Sequence, residues 1–198
     1  MQTGNLKQKY TKEIRNQLKS SLDKGNIYEV PRLTKIVVNT GFGKMSPDKN
    51  AREKINKNLM VITGQRPIFT TAKKAIAGFK TRKGQIIGAK ITLRGERMYH
   101  FYEKLVNIVI PRLRDFRGMS EEAFDGKGNY SIGFREINLF PEIEYSRGEK
   151  AFGLQMVICT DAKNKEETMK LLASLGMVFT SKNDEKKKEI KEKALVEK

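Results

Sequence analysis

Between Ile87 and Arg94 the residues alternate strictly in character. Ile87, Ala89, Ile91 and Leu93 are apolar, whereas Gly88, Lys90, Thr92 and Arg94 are small, polar or cationic. Successive side chains of an extended strand point to opposite faces, so this stretch calls for a sheet with one apolar face against helices and one face turned outward. Such one-sided burial belongs to antiparallel sheets with helices on one side.

The remaining periodicities supply the other elements. Leu6, Tyr10, Ile14 and Leu18 recur every four positions and predict a helix over 5–22. Ile36, Val37 and Val38, after Pro31 and before Gly41 and Gly43, predict a strand over 33–40. Ser46-Pro47 reads as the cap and first turn of a helix with Ala51, Ile55, Leu59 and Ile62 on one face, stopped by Gly64. A strand follows Pro67, and a loop takes up 74–84. A helix over 96–111 carries Met98, Tyr102, Leu105, Val109 and Leu113 as its core stripe, widened by Phe101 and Ile108. "DGKGNY" predicts a turn into a strand region ended by Pro141, and "AFGLQMVICTDA" a further strand. Asp161 or Asn164 caps a last helix with Met169, Leu172 and Leu175 inward and Gly176 at its end. The expectation is one α+β domain over 1–180: a largely antiparallel sheet with helices on one face and the other face open. Residues 181–198, with seven lysines and five acids, read as a flexible tail.

The 198 residues carry a formal net charge of +17, and 32% of them are charged. A folded body with that excess repels itself, so a polyanion, either nucleic acid or an anionic membrane surface, is the natural partner. No apolar run approaches bilayer length and no secretory leader is visible, which points to the cytosol or an organelle. Catalysis has little to draw on. The chain holds one histidine, His100, and one cysteine, Cys159. Hence no His/Cys cluster can hold a metal, and any nucleophile pair would have to use one of those two side chains. "NTGFGKMS" places Gly-Lys after a strand, but Val38 and Met45 stand where a phosphate loop needs Gly and Ser or Thr. No enzyme, metal or cofactor is expected.

The charge is not spread evenly. Residues 66–97 hold nine basic side chains and one acid, Glu96. Surface solubility is served by mixed signs, whereas a one-sign cluster neutralises phosphates and releases their counterions. Within the cluster, "TAKKAIAGFKTRKGQ" (Thr71–Gln85) sets Phe79 between Gly78 and Lys80. A ring there either stacks on an unpaired base or anchors the loop to the core. An RNA-directed enzyme and a peripheral membrane protein using its cationic surface are the competing readings. The first lacks an acid/base set. The second needs exposed apolar residues beside a basic helix face, of which the N-terminal helix has a modest version.

"KIVVNTGFG", "ITGQRPIFTTAKKAIAGFKTRKGQIIGAKITLRGERMY", "PRLRDFRG", "FDGKGNYSIGF" and "LFPEI" are similar, in order and spacing, to the bacterial-type large-subunit ribosomal protein L-five family. The resemblance runs from about Lys7 to Phe179, with Val178 where the family often has proline. It implies a structural ribosomal protein that binds 5S rRNA, helps attach it to the large subunit in the central protuberance, and sits on cytoplasmic ribosomes. It implies 5S rRNA contacts at Asn39, Thr40, Gln65, Arg66, Lys73, Lys74, Phe79, Lys90, Thr92 and Arg94. Lys80, Arg82, Lys83 and Gln85 fall in the family's contact to P-site tRNA. Arg112, Arg114, Asp115, Arg117 and Glu142 lie near its bridge to a small-subunit head ribosomal protein. The 23S-type rRNA and other 5S-associated ribosomal proteins are the further partners implied.

Overall fold

The computed structural model describes residues 6–43, 49–114, 116–143 and 152–180. Three successive helical segments, Leu6–Lys9, Tyr10–Ile14 and Arg15–Ser21, run on as one N-terminal helix, α1. It is followed by strand β1 (Leu33–Gly41), helix α2 (Lys49–Thr63), strand β2 (Ile68–Thr71) and strand β3 (Ile86–Leu93). Helix α3 begins at Gly95–Lys104 and continues through Leu105–Val109. Strand β4 (Tyr130–Phe134), strand β5 (Leu154–Thr160) and helix α4 (Lys165–Ser174) complete the order. The Ser46-Pro47 cap lies outside the described residues, as does the tail.

The strands form one five-stranded sheet in the order β2-β3-β1-β5-β4. All four pairings are antiparallel. Residues opposite each other in neighbouring strands share a face, so the register sorts the sheet into two sides. Leu93, Ile36, Ile158 and Tyr130 form one cross-strand row, and Ile91, Val38, Met156 and Ile132 the next; all eight are buried. The helices cover this side with Leu18 from α1, Leu59 from α2, Tyr102 and Leu105 from α3, and Leu171 and Leu172 from α4, all buried. Each such side chain contributes roughly 1.5–3 kcal/mol relative to exposure.

Two buried tyrosine hydroxyls are satisfied by backbone carbonyls. The Tyr10 hydroxyl donates to the Pro31 carbonyl at 2.8 Å, and the Tyr102 hydroxyl to the Leu172 carbonyl at 3.3 Å. Burial pushes the Tyr10 hydroxyl up to about 12, so it stays a donor throughout the neutral range. Lys24 reaches Glu167 at 2.6 Å, tying the end of α1 to α4.

Two sequence expectations change. Ile108, placed in the core stripe of α3, is 43% exposed, because the stripe there follows Leu105 and Val109. Neither proposed side-chain cap of α4 forms: Asn164 sits at the cap position without a side-chain bond, and Asp161 pairs with Arg32 at 3.0 Å. The Lys163 amide donates instead to Glu167, one turn ahead. The loop expected over 74–84 does connect β2 to β3, but it is closed by one bridge, Ile76–Thr81, described below.

The "DGKGNY" turn is held from inside. Asp125 accepts from the amides of Lys127 and Asn129 and from the Asn129 side chain. The Asn129 side-chain bond holds the Asp125 carboxyl below its ordinary range. A depressed folded pKa means stabilisation that is complete above the unfolded value of about 4 and lost as pH falls through the folded one. Asp125→Asn is therefore expected to lower the melting temperature near neutrality and to converge on wild type in acid, which flattens the acid limb of the melting temperature against pH. An acid limb identical to wild type would place the acid sensitivity elsewhere.

Candidate nucleic-acid interface

The second side of the sheet is built by the same register. Ile68, Lys90, Asn39, Gln155 and Gly133 form a row across all five strands, and every one of them is exposed. The next row, Thr92, Val37, Val157 and Ser131, is exposed or half-buried. No described element packs over these rows. Beyond them stand Lys35, paired with Cys159 across the strands, and exposed Arg94 at the end of β3. Burial pushes the Cys159 thiol up, against the opposing pull of Lys35 and Arg94.

At one point on this face the backbone packing excludes a side chain altogether. Gly88 lies opposite Gly41 and Thr70, and a Cβ at Gly88 would come within 2.8 Å of both the Thr40 carbonyl oxygen and the Thr70 hydroxyl. The surface is flat there because the strands leave no room for a side chain. Among the described residues, Lys35, Lys90 and Arg94 have no acidic partner within ion-pairing distance. Like charges gathered on one face without an acid of the described residues to pair them favour an anionic partner.

Gln65 connects the loop after α2 to this face. Gly64, at a φ of +66°, turns the chain out of the helix. The Gln65 side-chain amide then donates to the Thr92 carbonyl at 3.3 Å. "TGQRP" and "ITLRG", separated by more than twenty residues, thereby meet at one corner, with Arg66 and Arg94 both exposed.

The β2–β3 ribbon extends past the sheet as an arm. The Ala72 amide donates to the Gln85 carbonyl, and the Gly84 amide to the Ala72 carbonyl, each at 2.9 Å. Farther out, Ile76 and Thr81 exchange both backbone hydrogen bonds at 3.2 Å. A tight turn at Ala77–Phe79 closes the tip, with Lys80 in the left-handed region at a φ of 51°. Lys73, Lys74, Lys80, Arg82 and Lys83 are all exposed on the arm, while Gln85 accepts from the Arg82 amide. Phe79 is 77% exposed, so the ring does not anchor the arm to the core.

Thr40 departs from the expected set. It lies opposite Ala89 on the covered side, is 2% exposed, and donates to the Gly153 carbonyl at 2.7 Å. Asn39 and Thr40 are neighbours in a strand, so only one of them can face outward. Lys35, Gln155 and Ser131 belong to the open face and were missed. The alternation in "LQMVICT" was the available signal, but Val157 and Cys159 make its outer positions read as apolar.

Arg112, Arg114 and Arg117 are exposed at the end of α3 and in the loop after it, outside the sheet. Glu142 is committed internally, accepting from Lys104 at 2.7 Å, and Asp115 lies outside the described residues. His100 is exposed on α3. No group of three or more potential metal-ligating side chains occurs among the described residues. No described helix is long and apolar enough to cross a membrane.

One-sided sheet, basic arm and exposed cations define a class: an α+β protein with one helix-covered sheet face and a cationic surface on the other. Its sequence matches two family models, "Ribosomal protein L5" over residues 26–82 and the C-terminal part of the same ribosomal family over residues 86–179. It is similar to the large ribosomal subunit protein uL5 of Brevibacillus brevis, with 49% identity over 174 residues covering 88% of this chain and 97% of that one. The uL5 proteins of Moorella thermoacetica and Natranaerobius thermophilus are 48% and 47% identical, again over 88% of this chain. The chain belongs to the ribosomal protein L5 family. It is a ribosomal protein and not an enzyme.

Proposed function

We propose that the chain is a structural component of the large ribosomal subunit that holds 5S rRNA on its open sheet face. It would help fix that RNA in the central protuberance, next to the 23S-type rRNA and other 5S-associated proteins. Asn39, Gln65, Arg66, Lys90, Thr92 and Arg94 are the proposed 5S contacts, joined by Lys73, Lys74 and Phe79 at the base and tip of the arm. Lys80, Arg82, Lys83 and Gln85 are the proposed contact to P-site tRNA. Arg112, Arg114 and Arg117 are assigned to the bridge with a small-subunit head protein, with Asp115 and Glu142 in the same region. The observation that carries the reading is the exposed five-strand row through Lys90 and Asn39, flanked by cations that no described acid neutralises.

Two expected results test it. Purified protein should bind 5S rRNA with a log–log salt slope of about −0.7 to −0.9 per phosphate neutralised; salt-independent binding, or none, removes the reading. Phe79→Leu should leave the melting temperature unchanged, since the ring is 77% exposed. The same variant should weaken RNA affinity by roughly 5- to 50-fold if the ring stacks on a base. Unchanged affinity for both 5S rRNA and tRNA would show that the ring meets neither.

A further inference from the structure

Helix α2 does not make the close backbone approach to α3 that α1 makes. A groove of about 340 Å³ is left between the last turn of α2 and the first half of α3. That volume lies at the low end of sites that take up ligand groups, about 300–1,000 Å³. Ile62 and Phe101 line its buried floor. Val61, on the α2 wall, is 48% exposed, and Met60 beside it 42%. The shape is fixed by hydrogen bonds. The Lys104 ammonium reaches from α3 to the Ile62 carbonyl and to Glu142. The Thr63 hydroxyl donates to the Leu59 carbonyl at 2.7 Å, and the Gly64 amide to the Met60 carbonyl at 2.8 Å.

The rim is cationic. Arg97 and His100 line the α3 side and are exposed. Lys57, one turn before Val61 on the same face of α2, is exposed as well. Among the described residues, neither Lys57 nor Arg97 has an acidic partner within ion-pairing distance. The acids of α3, Glu96 and Glu103, line a crevice on its other flank, against Leu6 and Gln8 of α1. Glu96 is paired there with Lys7 at 3.2 Å. A nucleobase in the groove would set its hydrogen-bonding edge against apolar side chains and groups already bonded within the chain. It would also find no open ring to stack on, since Phe101 is 3% exposed. An aliphatic or aromatic side chain needs neither, and carboxylates beside it would meet Lys57 and Arg97.

We infer that the groove between α2 and α3 is a docking site for an acidic segment of a partner protein. One bulky apolar side chain sits between Val61 and Phe101, and the flanking carboxylates lie on Lys57 and Arg97. The groove opens on the helical side of the sheet, so this partner and an RNA on the open face are held at the same time. The inference stands on the groove and its rim, and does not rest on the RNA reading.

The test uses the full chain and a labelled peptide of repeated Glu-Leu-Leu-Glu, followed by fluorescence anisotropy at one fixed salt concentration. Wild type should bind the peptide equally well with and without saturating 5S rRNA. A counterpart with every Leu replaced by Ser keeps the charge and should bind about 10-fold more weakly or worse. Val61→Asp and Arg97→Glu should each weaken binding of the Leu peptide by about 10-fold or more. Lys12→Glu, the same charge change on α1, should cost less than about 2-fold. All three side chains are exposed, so the melting temperatures should not move. Absence of binding by wild type overturns the inference. So do equal losses from Arg97→Glu and Lys12→Glu, or equal affinity for the Ser counterpart, since either result leaves only the net charge. Displacement of the peptide by 5S rRNA would put its site on the sheet face and also overturn it. Failure of wild type to bind 5S rRNA strikes the RNA reading alone. A photoreactive side chain at position 61 in assembled large subunits should not crosslink to RNA; an RNA crosslink overturns the protein assignment.

Discussion

Replacing Lys90 and Arg94 together by glutamate is expected to lower affinity for 5S rRNA by on the order of 100-fold or more near 0.1 M salt. Both side chains are exposed on or beside the five-strand row, and both lack an acidic partner among the described residues. The substitution removes two cations and adds two anions where the phosphates would lie. The salt slope should become shallower by about 1 for each phosphate that is no longer neutralised. Folding should be untouched, because neither side chain reaches the core. Replacing Lys186, Lys187 and Lys188 with alanine changes total charge by a similar amount and should cost far less affinity. If the two sets weaken binding equally, charge alone governs it and the sheet face is not the site.

Gly128→Ala carries the largest expected effect on folding. Gly128 adopts a φ of +76°, and a Cβ there would stand 2.7 Å from the Ala162 carbonyl oxygen and 2.9 Å from the Thr168 hydroxyl. The first neighbour is backbone and cannot rotate away. The Gly128 carbonyl itself accepts from both Thr160 and Thr168, at 2.7 and 2.9 Å. Displacing the turn therefore also breaks the bonds that tie it to β5 and α4. Left-handed backbone costs roughly 1–2 kcal/mol for a non-glycine residue, and the clash and broken hydrogen bonds should raise the total to about 3 kcal/mol or more. Urea denaturation is the measurement. A loss of stability below about 1 kcal/mol would mean that the turn relaxes without cost and that its close packing is incidental.

These two sites were unequally visible in the amino-acid order. The alternation from Ile87 to Arg94 showed Lys90 and Arg94 facing away from Ile91 and Leu93, and the sheet confirms that division. Gly128 was legible as a turn residue, but not as a carbonyl shared by Thr160 and Thr168, which lie more than thirty residues away. The same limit explains Thr40. A strand's period tells which residues share a side, but β1 reads as apolar on both sides at Val37 and Val38. Which side was core depended on the strands flanking it.

By itself, then, the order of residues determined that a one-sided sheet exists, that helices cover it, and that positive charge gathers between Arg66 and Arg97. Those properties are local, set by side-chain period and composition over a few turns or strand residues. The tertiary structure alone decided that Lys35, Asn39, Gln155 and Ser131 join Lys90 on one surface, that Thr40 faces inward, and that Phe79 projects from a paired arm. Register between strands follows from how distant apolar faces fit together around a common core, and no stretch of the chain encodes that fit alone.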